Sequence, residues 1–204
     1  MNWVDFYCKS SRVLRGWTIS CTGLYGIERK QLQMHARLLG ATFNLDMTRT
    51  THLLVVSQVD TRKYRAGLRL RLPFVTVDYI VEALKSPITG IRPKYDRFRP
   101  PIFMGLKICL TGGTMSQRQA LASLVTRHGA TCDNAFKRDT THLVALVPFS
   151  SSSLKIPTAR ERAVPVVREL WVAESVSKGW CVDSTLFDIT RPTPSMRLFE
   201  ARHN

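Results

Sequence analysis

This sequence repeats itself, and that constrains its fold more than any other feature. The segment Thr18-Ile-Ser-Cys-Thr-Gly23 returns as Lys107-Ile-Cys-Leu-Thr-Gly112, with Thr22 and Thr111 89 residues apart. Arg29 and Arg118 stand at the same separation, as do Gly40-Ala41 and Gly129-Ala130. Thr50-Thr51-His52-Leu53 is echoed by Thr140-Thr141-His142-Leu143 at 90. Lys63 and Lys155, Pro73-Phe74-Val75 and Pro165-Val166-Val167, and Tyr79 and Trp171 follow at 92. So many matches in one order are beyond chance, and the separation grows in the small steps that loop insertions produce. A tandem repeat of this length folds as two copies of one unit, each large enough to bury its own core.

Each copy alternates strand and helix. Trp17–Thr22 and Leu106–Thr111 are short apolar runs ending in a Thr-Gly break. Helical periodicity follows, with Leu32, Ala36 and Leu39 in the first copy and Leu121, Val125 and His128 in the second, at i, i+4, i+7. Gly40 and Gly129 sit where a helix needs a left-handed residue just past its end. His52–Val56 and His142–Leu146 suit a buried strand, and a weaker helix is expected from Lys63 and Lys155. Phe74-Val75-Thr76 and Val166-Val167 supply a last strand, then Val77–Leu84 and Glu169–Ser177 a last helix. This alternation implies an α/β unit, a small parallel sheet flanked by helices. The modules are expected at 13–92 and 104–190, with a linker at 93–103, an N-terminal extension at 1–12 and a C-terminal tail at 191–204. The overlapping stretch Ser86–Pro101 carries four prolines and a run of bases, as a linker does.

Charge narrows the partner class. The 204 residues hold 30 Lys plus Arg against 15 Asp plus Glu, a net charge of +15, which favours a polyanionic partner. Apolar types at 44% exclude a disordered chain. No run approaches the ~18 apolar residues of a membrane span, so no membrane partner is expected. The N-terminus carries Asp5 and no long apolar core, unlike a secretory signal. Five cysteines (Cys8, Cys21, Cys109, Cys132 and Cys181) without a C-x-x-C pair read as reduced thiols, with no metal expected.

No catalytic constellation is present. His52 and His142 stand alone in their repeats, without an acid or cysteine at ligand spacing, and read as hydrogen-bonding a loop where a strand begins. Thr111-Gly-Gly-Thr114 lacks the Gly-Lys-Ser/Thr that completes a P-loop. No nucleophile elbow or dinucleotide fingerprint occurs, so neither a cofactor nor a small-molecule substrate is expected. Phe149–Ser153 reads as a loop. Arg69, Arg71, Arg160 and Arg162 read as solvated helix faces, available to an acidic peptide or to DNA.

The Thr-Gly after strand one, the Gly-Ala after helix one, the Thr-His-Leu strand and Trp171 in the last helix together resemble the BRCT module. The resemblance covers roughly residues 13–190 as two modules, with Tyr79 in the first where the tryptophan is usual. It implies a four-stranded parallel sheet in the order 2-1-3-4. Strands one and three then lie side by side while their helices leave in opposite directions, and open parallel sheets bind ligands at such switch points. Thr22, Arg29 and Lys63 are expected to converge there in the first module, and Thr111, Arg118 and Lys155 in the second.

The trio suits a phosphate monoester. A threonine hydroxyl and the N–H of Gly23 or Gly112 donate hydrogen bonds, a helix N-terminus adds free N–H groups, and Lys and Arg supply charge. A full set in both modules, with Arg seven after Thr, resembles the topoisomerase II-binding protein family of replication-initiation and checkpoint scaffolds. Asp60-Thr61-Arg62-Lys63-Tyr64 adds to that resemblance. Module two departs in having Gly113 for Leu24 and Pro157 two after Lys155, which puts Lys155 just before its helix. The implied function is a nuclear, non-enzymatic scaffold binding phosphoserine or phosphothreonine motifs of checkpoint or replication proteins. The alternatives are a basic DNA-binding module and a BRCT pair regulating a larger enzyme.

Overall fold

In a computed structural model, residues 13–85, 93–147 and 153–189 are described. The extension 1–12, the tail 191–204, Ser86–Arg92 of the proline-rich stretch and Phe149–Ser152 of the serine run lie outside the described residues. The chain divides into two compact units between Pro100 and Pro101.

The first unit runs β1 (Thr18–Thr22), α1 (Gly26–Leu38), β2 (Thr42–Phe43), β3 (Leu53–Val56), α2 (Arg62–Arg69), β4 (Phe74–Val75) and α3 (Val77–Lys85). The second runs β5 (Lys107–Gly112), α4 (Met115–Arg127), β6 (Thr131–Asp133), β7 (His142–Leu146), α5 (Lys155–Glu161), β8 (Val166–Arg168) and α6 (Leu170–Lys178). The sheets order as β2-β1-β3-β4 and β6-β5-β7-β8, and every pair within them is parallel, as the resemblance implies.

Central strands covered on both faces need continuous apolar runs. All four residues of β3 and all five of β7 are buried. Helix ends repeat as well. Gly40 (φ +80°) and Gly129 (φ +93°) close α1 and α4 with paired bonds: Gly40 N–H to the Arg37 carbonyl and Ala41 N–H to Ala36, then Gly129 to Thr126 and Ala130 to Val125. That is the left-handed closure expected of a Gly-Ala pair. Arg71 (φ +53°) and Ala163 (φ +54°) close α2 and α5 in the same way without a glycine.

Tyr79 and Trp171 are both fully buried. The Trp171 indole N–H donates to the Val182 carbonyl at 2.8 Å, and its ring lies 5.2 Å from Phe103 and 4.9 Å from His142.

Three expectations change. First, the strand-three match at 90 is one residue out of register. Ile19 pairs with Leu53 and Ile108 with His142, so Leu53, not His52, is the counterpart of His142. The separation stays at 89 through that strand, and three inserted residues before Ser153 take it to 92 in one step. A one-residue slip along a strand puts side chains on opposite faces. His52 is exposed and its Nδ1 accepts from the Thr18 N–H at 3.0 Å, whereas His142 is buried and stacks on Trp171. The role of His52 passes to Thr141, whose hydroxyl oxygen accepts from the Lys107 N–H at 2.9 Å.

Second, residues 93–103 are not a bare linker. Tyr95–Phe98 form a 3-10 turn against the first unit, with Tyr95 and Phe98 5.5 and 5.7 Å from Tyr79 and the Phe98 carbonyl accepting from Thr76 N–H. Phe103 is fully buried in the second unit. Aromatic side chains in a proline-rich stretch gain enough from burial to dock it. Third, Lys155 is the first residue of α5 rather than the one before it, and Pro157 occupies the third position, where its missing N–H costs nothing.

Candidate anion-binding site

In the first unit the side chains meet where β1 and β3 end and their helices diverge. Thr22 is the last residue of β1 and is 6% exposed. Gly23 follows with φ +78°, a conformation that favours glycine. A Cβ there would also lie 2.4 Å from the Gln58 backbone nitrogen, so two segments can close on each other only with glycine between them. Arg29 lies in the first turn of α1, half-buried, with no side-chain hydrogen bond among the described residues.

Lys63, the second residue of α2, turns back over the sheet edge and donates from Nζ to the carbonyls of Cys21, at 3.4 Å, and Leu45. Burial pushes the Cys21 thiol up from its ordinary pKa, and the positive charges of Lys63 and Arg29 partly oppose that rise. Both cations thus lie within electrostatic reach of the Cys21 sulfur.

The second unit repeats this arrangement. Thr111 is 4% exposed, Gly112 has φ +76°, and Lys155 Nζ donates to the carbonyls of Leu110 at 3.0 Å and Asn134 at 2.6 Å. Arg118, in the first turn of α4, donates to the Gly112 and Gly113 carbonyls at 3.1 and 2.8 Å. With Met115, Asn134 and Ser153, the four residues expected from the sequence line one cavity of about 430 Å³. Burial raises the Cys109 thiol, again opposed first by Lys155.

The units differ in detail. Gly113 replaces the buried Leu24, and Thr114 caps α4 by accepting from the Gln117 N–H while the Gln117 side chain accepts from the Thr114 N–H. The α1 cap residue, Tyr25, makes no such side-chain bond.

The sequence reading left out a hydroxyl that completes both clusters. Thr61 Oγ1 lies 2.5 Å from Thr22 Oγ1, and Ser153 Oγ lies 2.9 Å from Thr111 Oγ1. The separation of 92 that joins Lys63 to Lys155 also joins Thr61 to Ser153, so the signal was present in the repeat. Thr61 also caps α2, its oxygen accepting from the Tyr64 N–H at 3.1 Å. When the Thr61 hydroxyl donates to Thr22, the Thr22 proton is free to point outward, and such chains of hydrogen bonds reinforce one another. Each edge thus assembles hydroxyl donors, a glycine N–H, a helix N-terminus and two cations, without a paired carboxylate among the residues named. Among the described residues no cluster of three or more His, Cys, Asp or Glu is placed to hold a metal ion, and no helix is long and apolar enough to cross a membrane.

Comparison with known proteins agrees with this architecture. The BRCA1 C-terminus (BRCT) domain profile matches residues 9–84, and the twin BRCT domain profile matches residues 106–171. The S-M checkpoint control protein rad4 of Schizosaccharomyces pombe is 26% identical over 195 residues, covering 93% of this chain and 30% of that protein. The chain therefore spans about a third of that relative's length. Two crystal structures of Rad4 BRCT1,2 are similar, each with a TM-score of 0.68. One, in complex with a Crb2 phosphopeptide, is 25% identical, and the match covers 88% of this chain and all of that one. The other, with an Mdb1 phosphopeptide, is 26% identical and covers 87% and 99%. Two matching profiles on two repeats of one fold identify this chain as a tandem BRCT protein.

Proposed function

We propose that this chain is a non-enzymatic phosphoserine/phosphothreonine reader in DNA replication or damage-checkpoint signalling, with one phosphate pocket in each module. The observation that carries this reading is the doubled cluster: Thr22, Gly23, Arg29 and Lys63, then Thr111, Gly112, Arg118 and Lys155, each at the switch point of its own sheet. Its support from relatives is that Rad4 BRCT1,2 binds phosphopeptides of Crb2 and Mdb1. The partners are phosphorylated motifs on checkpoint or replication proteins, and the setting is the nucleus.

A phosphate dianion entering either pocket takes over the lysine ammonium from its two backbone carbonyls and accepts from the threonine hydroxyl and glycine N–H. Each charge-assisted bond contributes roughly 1.5–3 kcal/mol net. After the cost of ordering the peptide, a few such bonds give affinity on the order of micromolar. A neutral serine or threonine lacks the charge for these bonds, so phosphorylation switches binding on.

The test is an oriented library of phosphoserine and phosphothreonine peptides, before and after phosphatase treatment, applied to wild type, Lys63→Glu and Lys155→Glu. Each substitution should remove binding at its own module. If both variants retain wild-type binding, the pockets are misassigned. The charge of +15 also suits DNA. DNA as the primary ligand would instead show a steep salt dependence spread over many Lys and Arg residues.

A further inference from the structure

The second unit carries a cationic, aromatic-floored hollow whose aromatic ring and one of whose arginines have no counterpart at the matching positions of the first. Arg138 and Arg162, both exposed, line with Phe136 an open cavity of about 650 Å³. The Arg162 guanidinium lies 5.5 Å from the Phe136 ring centre, within cation–π range. Phe136 is itself packed against the buried cluster of Cys109, Leu143, Ala159 and Val166, which fixes the floor. The acids flanking this loop are already engaged, Asp133 with Lys137 and Asp139 with Lys107 at 2.5 Å, so neither is left to neutralise the two arginines.

Two runs of chain connect this hollow to the phosphate pocket of the same unit. Helix α5 begins at Lys155 in that pocket and is followed by Arg162 in the hollow, and the loop after β6 passes from Asn134 in the one to Phe136 and Arg138 in the other. Seven residues of helix rise about 10 Å. An extended peptide covers that distance in about three residues.

The repeat supplies an internal comparison. At the corresponding positions of the first unit stand Met47, Arg49 and Leu70, so the aromatic floor and one arginine are missing there.

We propose that Arg138 and Arg162 form a second anion subsite, used by module two alone. It takes an acidic or phosphorylated side chain about three residues from the phosphoresidue held by Thr111 and Lys155. This rests on the reading of module two as a phosphate pocket. A peptide is favoured over DNA because, among the described residues, the hollow is lined by two arginines and lies one helix away from a pocket with a single Lys-Arg pair.

The test uses the full chain carrying Lys63→Glu, so that module one is silent. The probes are twelve-residue Ala/Gly/Ser peptides with one phosphothreonine and either Glu or Gln three residues before or after it. In one of the two placements the Glu peptide should bind about fivefold more tightly than its Gln twin, as an exposed ion pair of good geometry allows. Adding Arg162→Leu, the residue of module one, should reduce that ratio to about one while leaving the Gln peptide's affinity unchanged. An undiminished ratio in Arg162→Leu, or no Glu preference in either placement, overturns the proposal. If no phosphothreonine peptide binds at all, or if adding Lys155→Glu leaves binding intact, the phosphate-pocket reading fails and the subsite falls with it. A salt-steep affinity for duplex DNA that depends on Arg162 would assign the hollow to nucleic acid and also refute the proposal.

Discussion

Replacing Gly23 by alanine tests whether the candidate site is shaped by close backbone approach. Gly23 has φ +78°, and an added Cβ would lie 2.4 Å from the Gln58 nitrogen and 2.5 Å from its Cβ. The left-handed backbone alone costs a non-glycine residue roughly 1–2 kcal/mol. Relieving the overlap requires a shift of the chain after β3, an overpacking cost of about 1–3 kcal/mol. Gly23→Ala should therefore lose about 2–5 kcal/mol. Gly16 provides the control, because it has φ +80° with nothing within 4 Å of the added Cβ. Gly16→Ala should lose only the backbone cost of about 1–2 kcal/mol. Urea unfolding followed by amide NMR signals, which report each unit separately, measures both losses. With a slope of about 1–3 kcal/mol per molar urea, the extra loss is a visible shift in midpoint. Equal losses for Gly16→Ala and Gly23→Ala would refute the close approach of residues 23 and 58, and with it the account of how β1 and β3 converge on the site.

Two further predictions concern stability. Ala163 closes α5 with φ +54°, so Ala163→Gly should stabilise the second unit by about 1 kcal/mol in the same urea experiment; a loss would mean that the side chain packs in a way that outweighs backbone strain. Burial raises the thiols of Cys21, Cys109 and Cys132, so the unfolded chain releases their protons at lower pH than the folded one does. Their contribution is fully present below the ordinary thiol pKa of 9.0 and declines as pH rises above it, so unfolding free energy should fall from about pH 9 upward and fall less in a triple Cys→Ser variant.

The repeat made most of the fold readable because long apolar strands and capped helices leave strong patterns twice. Strands β2 and β6 left none. Two or three residues that are half-buried or exposed, at a sheet edge, are too few to show alternation. The register of the third strand is hidden because Thr-Thr-His-Leu matches well as letters. Placing the second histidine one residue further along the strand turns it from a surface acceptor into a core ring, and side-chain facing depends on pairing partners that letters do not carry.

The candidate site's residues stand out in the sequence where the proposed chemistry demands one residue type. The Thr-Gly turns, Arg29, Arg118, Lys63 and Lys155 are found where the topology needs them. Thr61 and Ser153 do not stand out because a serine or threonine before a helix already has a local explanation as a cap. Their bonds to Thr22 and Thr111 are made across 39 and 42 residues of chain, contacts that only folding creates. Residues 95–98 look like linker because prolines and bases dominate that stretch, while their docking depends on packing against Tyr79 from elsewhere in the unit.

Calorimetric titration of one phosphothreonine peptide selected from the library, and of its unphosphorylated twin, into wild type and the Lys63→Glu/Lys155→Glu double variant tests the central claim most directly. The account predicts micromolar binding of the phosphopeptide to wild type, none detectable for the twin, and loss of phosphopeptide binding in the folded double variant. Equal binding of both peptides, or an undiminished affinity in the double variant, would contradict it.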